Sequence, residues 1–151
     1  MTTSNEKSFS TLIHLSSLSQ YFIPFGNFIF PVVLWSAKKK DSEFIDQQGK
    51  QVLNFQLSIF LYALILCLIA IPILIYIVLK NVSINDIIND NEVFVETMSV
   101  GNMTGFVLLG ISAVTVFGFL KLMEFILIIY ASVKASNGEN YKYPLTIPFF
   151  K

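Results

Sequence analysis

The chain contains no arginine, a single cysteine and a single histidine, and only 13% of its 151 residues are charged. Without arginine it has no bidentate guanidinium clamp for phosphate or carboxylate. The lone cysteine, Cys67, excludes an intramolecular disulfide. Acidic and basic residues balance, so we expect no large basic face and no nucleic-acid partner.

Catalytic and metal-binding motifs are absent from the sequence as well. Nothing in it resembles a zinc-ligand pair, a phosphate-cradling glycine loop or a nucleophile elbow. The two most reactive side chains, His14 and Cys67, lie on different segments. We therefore expect a protein that is not an enzyme, with no catalytic, cofactor-binding or metal-binding residues and no cofactor.

Long apolar segments dominate what is present, and 54% of the residues are hydrophobic. The segments cover about 12–36, 57–79 and 104–133. At a helical rise of 1.5 Å per residue the second covers about 34 Å, enough for a hydrocarbon core of about 30 Å. The sequence predicts one all-α membrane domain over 1–151, a polytopic helical bundle. An interfacial helix at about 43–51 and a polar tail at 134–151 complete it.

The first apolar segment is interrupted by Pro24, Gly26, Asn27 and Pro31. Because proline removes a backbone donor, we expect two half-helices, about 9–22 and 27–37, instead of one straight helix. A kinked single span, which gives three spans in all, is the interpretation we favour. A helical hairpin, which would give four, is the alternative.

Lysines predict the orientation. Lys38, Lys39, Lys40 and Lys50 follow the first segment, and the tail carries Lys134, Lys142 and Lys151. The link between the second and third segments is acidic and has one lysine. We expect a multi-pass protein of the inner (plasma) membrane. The positive-inside rule places its first loop and its tail in the cytoplasm. Three spans would place the N-terminus outside, and a hairpin would place it inside.

A polar stripe follows the second helix into the membrane. Helical spacing puts these residues on one half of the cylinder: Asp46, Gln47, Lys50, Gln51, Asn54, Ser58 and Tyr62. Asp46 and Lys50 have the favourable i, i+4 order for an ion pair. Lipid cannot satisfy the amides, so the stripe should face another helix or a wet cavity. Gln56 projects from a different face and should matter less than Asn54 if it meets lipid headgroups.

Two further features invite either a structural or a functional interpretation. His14 shares a helical face with Ser10, Ser17 and Tyr21, either as a neutral hydrogen-bonded group or as a titrating one. Lys121 and Glu124 are the charges within the third segment, and they form either a structural ion pair or part of an ion or proton path. Gly110 and Gly118 lie near their side of the helix and would permit close approach of another segment.

The candidate sites are therefore contacts within a membrane. The candidate helix-packing or partner-binding residues are His14, Tyr21, Trp35, Asp46, Lys50, Asn54, Gln56, Lys121 and Glu124. Lys38, Lys39 and Lys40 either contact lipid headgroups or act only as a topological stop. The expected partners are the lipid bilayer, further copies of the chain or other membrane proteins.

Several short motifs resemble those of a known family. They are His14-Leu15-Ser16, Pro31, Trp35, Phe44-Ile45-Asp46, Gly49, Asn54-Phe55-Gln56 and, in the tail, Gly138 with Tyr141, Tyr143 and Pro144. They resemble small bacterial membrane proteins of a domain family of unknown function, related to the twenty-kilodalton Tic subunit of the chloroplast inner-envelope translocon. Val52-Leu53 departs from this pattern, where an alanine is expected. The resemblance implies an all-helical membrane domain without known catalytic residues, and a relative with four spans.

Two functions remain as hypotheses. The first is a binding or assembly module without its own catalysis, accessory to protein translocation or insertion. The alternative is a small channel or transporter-like protein that uses the intramembrane polar seam.

Overall fold

The computed structural model of the protein describes residues 2–81 and 100–151, and these residues form helices without strands. The elements are α1 (Ser4–Ser16), the 3₁₀ helix η1 (Ser17–Tyr21), α2 (Gly26–Lys38), α3 (Glu43–Asn81) and α4 (Val100–Ser136). The described part of the chain forms two compact units: Met1–Leu61 with Lys121–Lys151, and Tyr62–Leu120. The helical fold class is confirmed. The acidic residues of the expected second link lie outside the described residues.

Two helices of the described residues are long and apolar enough to cross a membrane. They are Glu43–Tyr76 of α3 and Val107–Ser136 of α4, with mean hydropathies of 2.8 and 2.0 in their most apolar stretches. Only 6% and 11% of those stretches are buried within the protein, so neither is the core helix of a soluble domain. The expected third span is not found, because the first apolar segment is divided between two helices of 13 residues each.

Helix α1 begins earlier than its apolar pattern predicts. Thr3 caps it, with its backbone N–H donating to Glu6 Oε2 at 2.6 Å and its Oγ1 accepting from the Glu6 N–H at 3.3 Å. This capping box adds a polar first turn, which apolar periodicity cannot reveal.

A tight turn joins η1 to α2. Phe25 adopts a left-handed conformation with φ of 61°, and Gly26 begins α2. A Cβ at Gly26 would lie 2.9 Å from the backbone of Ser19. Since that backbone cannot give way, only glycine lets the two arms approach this closely.

Helix α2 runs antiparallel to the first part of α3. Trp35, near the end of α2, contacts Gly49, whereas Phe28, near its start, contacts Phe60 edge to face at 6.1 Å between ring centroids. The expected interfacial helix at 43–51 is not separate, because α3 continues without interruption from Glu43 to Asn81. Pro72 lies inside this helix.

Two small apolar clusters form the core of the first unit. One contains Phe55, Ile128, Ala131 and Tyr143, so it joins α3, α4 and the tail. The other contains Ile13, Ile45 and Val52, so it joins α1 to α3.

The N-terminus, the first loop and the tail meet at one end of this unit. A Cβ on Gly138, just after α4, would lie 2.6 Å from Thr2 Oγ1 and 2.7 Å from Lys7 Cε. Ser42, in the loop before α3, donates a hydrogen bond to the Glu6 carboxylate and thereby lowers the pKa of Glu6. The three segments of the chain therefore share one end of the first unit.

The second unit contains an open apolar cleft of about 400 Å³. Its lining residues are Tyr62, Ile65, Leu66, Ile69, Ala70, Ile73, Leu109, Ser112, Ala113 and Val116. A Cβ added at Gly110 or Gly118 would have no neighbour within 4 Å among the described residues. Among the described residues, the expected close approach of another segment to these two glycines is therefore not present. It occurs at Gly49, where the ring of Trp35 lies directly over the backbone.

This contrast yields a matched pair of substitutions. A Cβ at Gly49 would lie 2.5 Å from Trp35 Cγ and 2.9 Å from its Cβ, atoms too near the backbone to swing away. Gly49→Ala should therefore cost about 1–3 kcal/mol through overpacking. Gly110→Ala, with open space around it, should be neutral or stabilise by up to about 1 kcal/mol, since alanine is the better helix former.

Thermal unfolding in the same detergent measures both variants. Equal effects of the two substitutions would contradict the packing of Trp35 on α3.

Candidate functional site

The candidate site is a set of buried polar contacts in the first unit, here called the polar seam. Its members are Ser10, His14, Ser17, Gln20, Asn27, Gln48, Asn54, Gln56, Ser58, Lys121, Glu124 and Tyr143. Most of these side chains are buried, although the helices that hold them expose apolar residues.

His14 is the centre of the seam and links three segments. Its Nδ1 lies 2.7 Å from the Tyr143 hydroxyl in the tail, and its Nε2 lies 2.8 Å from Gln48 Oε1 on α3. The Gln48 Nε2 donates to Asn140 Oδ1 at 2.8 Å and to the Glu139 carbonyl at 3.2 Å. Gln48 Oε1 must therefore accept, so His14 carries its proton on Nε2 and accepts from Tyr143 through Nδ1.

Both of these side chains are buried, with His14 0% and Tyr143 4% exposed. A neutral imidazole that donates through Nε2 and accepts through Nδ1 satisfies both contacts, so the geometry favours the hydrogen-bonded interpretation of His14 over the titrating one.

Asn54 and Ser58 of the polar stripe meet the C-terminal tail, a partner that the sequence did not predict for the stripe. Asn54 Nδ2 donates to the Phe150 carbonyl at 2.9 Å, and the Phe150 N–H donates to Asn54 Oδ1 at 2.7 Å. Ser58 Oγ accepts from the Ile147 N–H at 2.8 Å and donates to the Asn54 carbonyl at 2.7 Å. The side chain of Asn54 thus pairs with the tail backbone as a neighbouring strand would.

Lys121 and Glu124 form the expected ion pair, at 2.8 Å between Nζ and Oε2. The sequence did not predict the third member, Gln20. Its Nε2 donates to Glu124 Oε1 at 2.9 Å, and its Oε1 accepts from Lys121 Nζ at 3.0 Å. Glu124 is completely buried, whereas about a third of the Lys121 side chain is exposed. The three side chains form a ring of hydrogen bonds.

Gln56 is buried, so it does not meet the condition, contact with lipid headgroups, under which it was expected to matter less than Asn54. Its Oε1 accepts from Asn27 Nδ2 of α2 at 2.7 Å. The start of α2 packs on the face of α3 that carries Gln56, so this face is not accessible to lipid headgroups. Among the described residues, Gln56 Nε2 has no hydrogen-bond partner.

Tyr21 does not join the buried face of Ser10, His14 and Ser17, and about half of it is exposed. The chain tightens to a 3₁₀ helix after Ser16, so α-helical spacing no longer applies at Tyr21. Its ring contacts Phe125 edge to face at 6.3 Å between centroids.

Trp35 and the lysines lie at the end where loop and tail meet. Trp35 Nε1 donates to Asp46 Oδ1 at 2.9 Å, and Asp46 also pairs with Lys50 at 2.6 Å, as expected. The Lys39 ammonium lies 4.6 Å from the centroid of the Trp35 ring. Lys38 pairs with Asp41 at 3.1 Å, and Lys40 is exposed.

A polar cleft of about 640 Å³ opens beside these groups. It is lined by Glu43, Asp46, Gln47, Lys50, Gln51, Asn54, Asn140, Lys142, Phe150 and Lys151. We call it the tail cleft, since α3 forms one wall and the C-terminal tail forms the other. Within 2–81 and 100–151, no group of three or more histidine, cysteine, aspartate or glutamate side chains is placed to hold a metal ion.

Sequence reasoning missed Gln20, Asn27 and Gln48 as members of the seam. Gln20 and Asn27 flank the turn that contains Pro24 and Gly26, where helical periodicity cannot assign a residue to one face of a helix. Gln48 lies one residue from the stripe and points to α1. An uncharged amide within an apolar segment is the signal that could have found Gln20 and Asn27, because such a group needs a partner in the membrane. Gln48 precedes the second apolar segment, so this signal does not apply to it.

The ring of Lys121, Glu124 and Gln20 predicts a rescue experiment. Lys121→Met leaves a buried carboxylate with one partner fewer and should cost about 3 kcal/mol or more. Adding Glu124→Gln should recover most of that loss, because the new amide removes the charge and can still bond Gln20. Thermal stability of the wild type, the two single variants and the double variant measures the coupling. Additive losses in this cycle would show that the two residues do not interact.

Comparison with known proteins places the chain in a family. The model of the magnetosome magnetite crystal formation protein family (MamF/MmsF) matches residues 5–150. No curated protein and no solved structure matches the chain. The match corrects the resemblance to the Tic-related family, which depended on short motifs in the first half and the tail. This membrane protein belongs to the magnetosome magnetite crystal formation protein family.

Proposed function

We propose that the protein acts in its membrane as a binding and assembly module without catalysis of its own, and that it serves magnetite crystal formation. The family description names that process. The proposal replaces a role in protein translocation, which rested on the Tic-related resemblance.

One observation supports an assembly role above others: the chemically versatile side chains are used to join segments. His14 joins α1 to α3 and to the tail through both ring nitrogens. Glu124 uses both carboxylate oxygens on Gln20 and Lys121. Groups that are engaged in this way build a rigid unit, and they are not poised for proton transfer or ligand exchange.

The tail cleft is the surface on which we expect a partner to bind. It carries carboxylates, amides and lysines together, and Lys142 and Lys151 at its tail side are exposed. Such a mixture suits a polar segment of another protein better than a bare anion. We propose that the cleft faces the cytoplasm, since the lysine distribution favours that side.

Complementation tests this proposal. The chain is expressed in a magnetite-forming bacterium that lacks its own members of the family, and crystal number and size are measured by electron microscopy. We expect the wild type to restore crystal size, and Lys142→Glu with Lys151→Glu to restore less at equal membrane abundance. Lys40→Glu, an exposed lysine outside the cleft, is the matched control and should behave as the wild type.

Two outcomes would each contradict a different part of the proposal. Wild-type protein that inserts at normal levels but leaves the crystals unchanged would show that the chain serves a different process. Equal restoration by the cleft variants and the wild type would show that partners do not bind in the tail cleft.

The channel hypothesis has less support. Lys121 and Glu124 hold each other and Gln20, an arrangement that favours a structural pair over a path for ions. Ion flux into liposomes that contain only this protein, lost in Lys121→Met with Glu124→Gln, would reverse that preference.

A further inference from the structure

The segment α1–η1–α2 has its polar side chains inside and its apolar side chains outside. Ser10, His14 and Ser17 are 0% exposed, whereas Phe22 and Phe25 at the turn are 87% and 65% exposed. Other large apolar side chains are exposed along both arms: Leu12, Leu15, Ile29, Phe30, Val32 and Val33. In water this arrangement would bury polar groups and expose apolar ones, both at a cost in free energy.

Charge follows the same pattern. No aspartate, glutamate or lysine occurs between Lys7 and Lys38. The histidine in this stretch, His14, is buried. Both flanking lysines lie at the end of the first unit where the N-terminus, the first loop and the tail meet. The apolar turn at 22–25 is the part of the segment farthest along the chain from both.

The two arms are too short to cross a bilayer. Beyond Lys7, the first arm has nine residues of α1 and the five residues of η1, which together cover about 24 Å at 1.5 and 2.0 Å per residue. The second arm, α2, has 13 residues and covers about 20 Å, so both are shorter than a hydrocarbon core of about 30 Å.

The depth of the turn can be read from its neighbours on α3 and α4. Next to the turn, Phe28 contacts Phe60 and Tyr21 contacts Phe125. Phe60 lies ten residues beyond Lys50, and Phe125 lies nine residues before Lys134, so both lie about 15 Å from the last charge at that end. Half of a hydrocarbon core is also about 15 Å.

We propose that α1–η1–α2 is a re-entrant hairpin. It enters the bilayer on the side of the first loop and the tail, turns at 22–25 near the midplane, and leaves on the same side. The occupant of its exposed apolar surface is the acyl chains of the lipid. Lipid fits better than a second copy of the chain, because the exposed residues surround the turn and line both arms instead of forming one patch.

The hairpin explains why the seam contains amides. Non-helical backbone at membrane depth persists only where protein satisfies it. Gln20 and Asn27 flank the turn and bond to Glu124 of α4 and Gln56 of α3, so they fasten it to both spans. The N-terminus then lies on the same side as the first loop, which decides between the two topologies that the lysines left open.

Labelling of single cysteines tests the proposal in a Cys67→Ala background. With an impermeant maleimide, Asn5→Cys and Ser42→Cys should both react from the side opposite to Asn89→Cys. Phe25→Cys should react from neither side, at less than about a tenth of the Ser42→Cys signal. Phe22→Cys, which replaces an exposed side chain outside the left-handed position, is the second variant if Phe25→Cys does not fold.

Depth is measured separately in liposomes with nitroxide-labelled lipids. A fluorophore attached at Phe25→Cys should be quenched at least twofold more by nitroxides near the acyl-chain ends than by nitroxides near the headgroups. At Asn5→Cys the order should be reversed.

Four outcomes would overturn the hairpin. Reaction of Asn5→Cys from the side of Asn89→Cys would make the segment a single span. Reaction of Phe25→Cys from that side would make it two full spans, and reaction from the Ser42 side would place it on the surface. Disulfide-linked dimers of Phe25→Cys without quenching would show a second copy as the occupant.

Discussion

A polar group that this chain carries into apolar surroundings can find a partner only within the protein, because acyl chains offer none. His14 meets this constraint with a tyrosine from the tail and an amide from α3. Glu124 meets it with Gln20 and Lys121. The same constraint decides which segments pack together, since the exposed apolar surfaces of the helices have no preference for one another when lipid is the alternative.

The C-terminal tail is held by this constraint without a helix of its own. Asn54 and Ser58 supply the hydrogen bonds that its backbone would otherwise lack at Ile147 and Phe150. The ring of Tyr143 stacks on Phe55 at 4.1 Å between centroids, which anchors the tail in the apolar cluster beneath the seam. An extended segment fixed in this way forms one wall of the tail cleft, so the contacts that stabilise the fold also shape its candidate binding surface.

Family membership and physical structure contribute different parts of the functional argument. The family match supplies the process, and nothing in the seam would have indicated magnetite. The structure supports the proposed form of action, because His14 and Glu124 are engaged in joining segments of the chain. The proposed re-entrant hairpin agrees with such a role, since with two helices long enough to span the membrane it would present the N-terminus, the first loop and the tail together on one side.

The sequence by itself determined what depends on composition and on neighbours in the chain. Apolar length predicted α3 and α4, prolines predicted the break in the first segment, and spacing predicted the Asp46–Lys50 and Lys121–Glu124 pairs. Only the tertiary structure decided that His14 meets Tyr143, that Gln56 is buried, and that Trp35 of α2 packs on Gly49 whereas Gly110 and Gly118 have no close neighbour among the described residues. Helical periodicity states which residues share a face, but it does not state what that face meets. The partner of a buried amide can lie a hundred residues away, and its identity depends on how the helices and the tail fold back on one another.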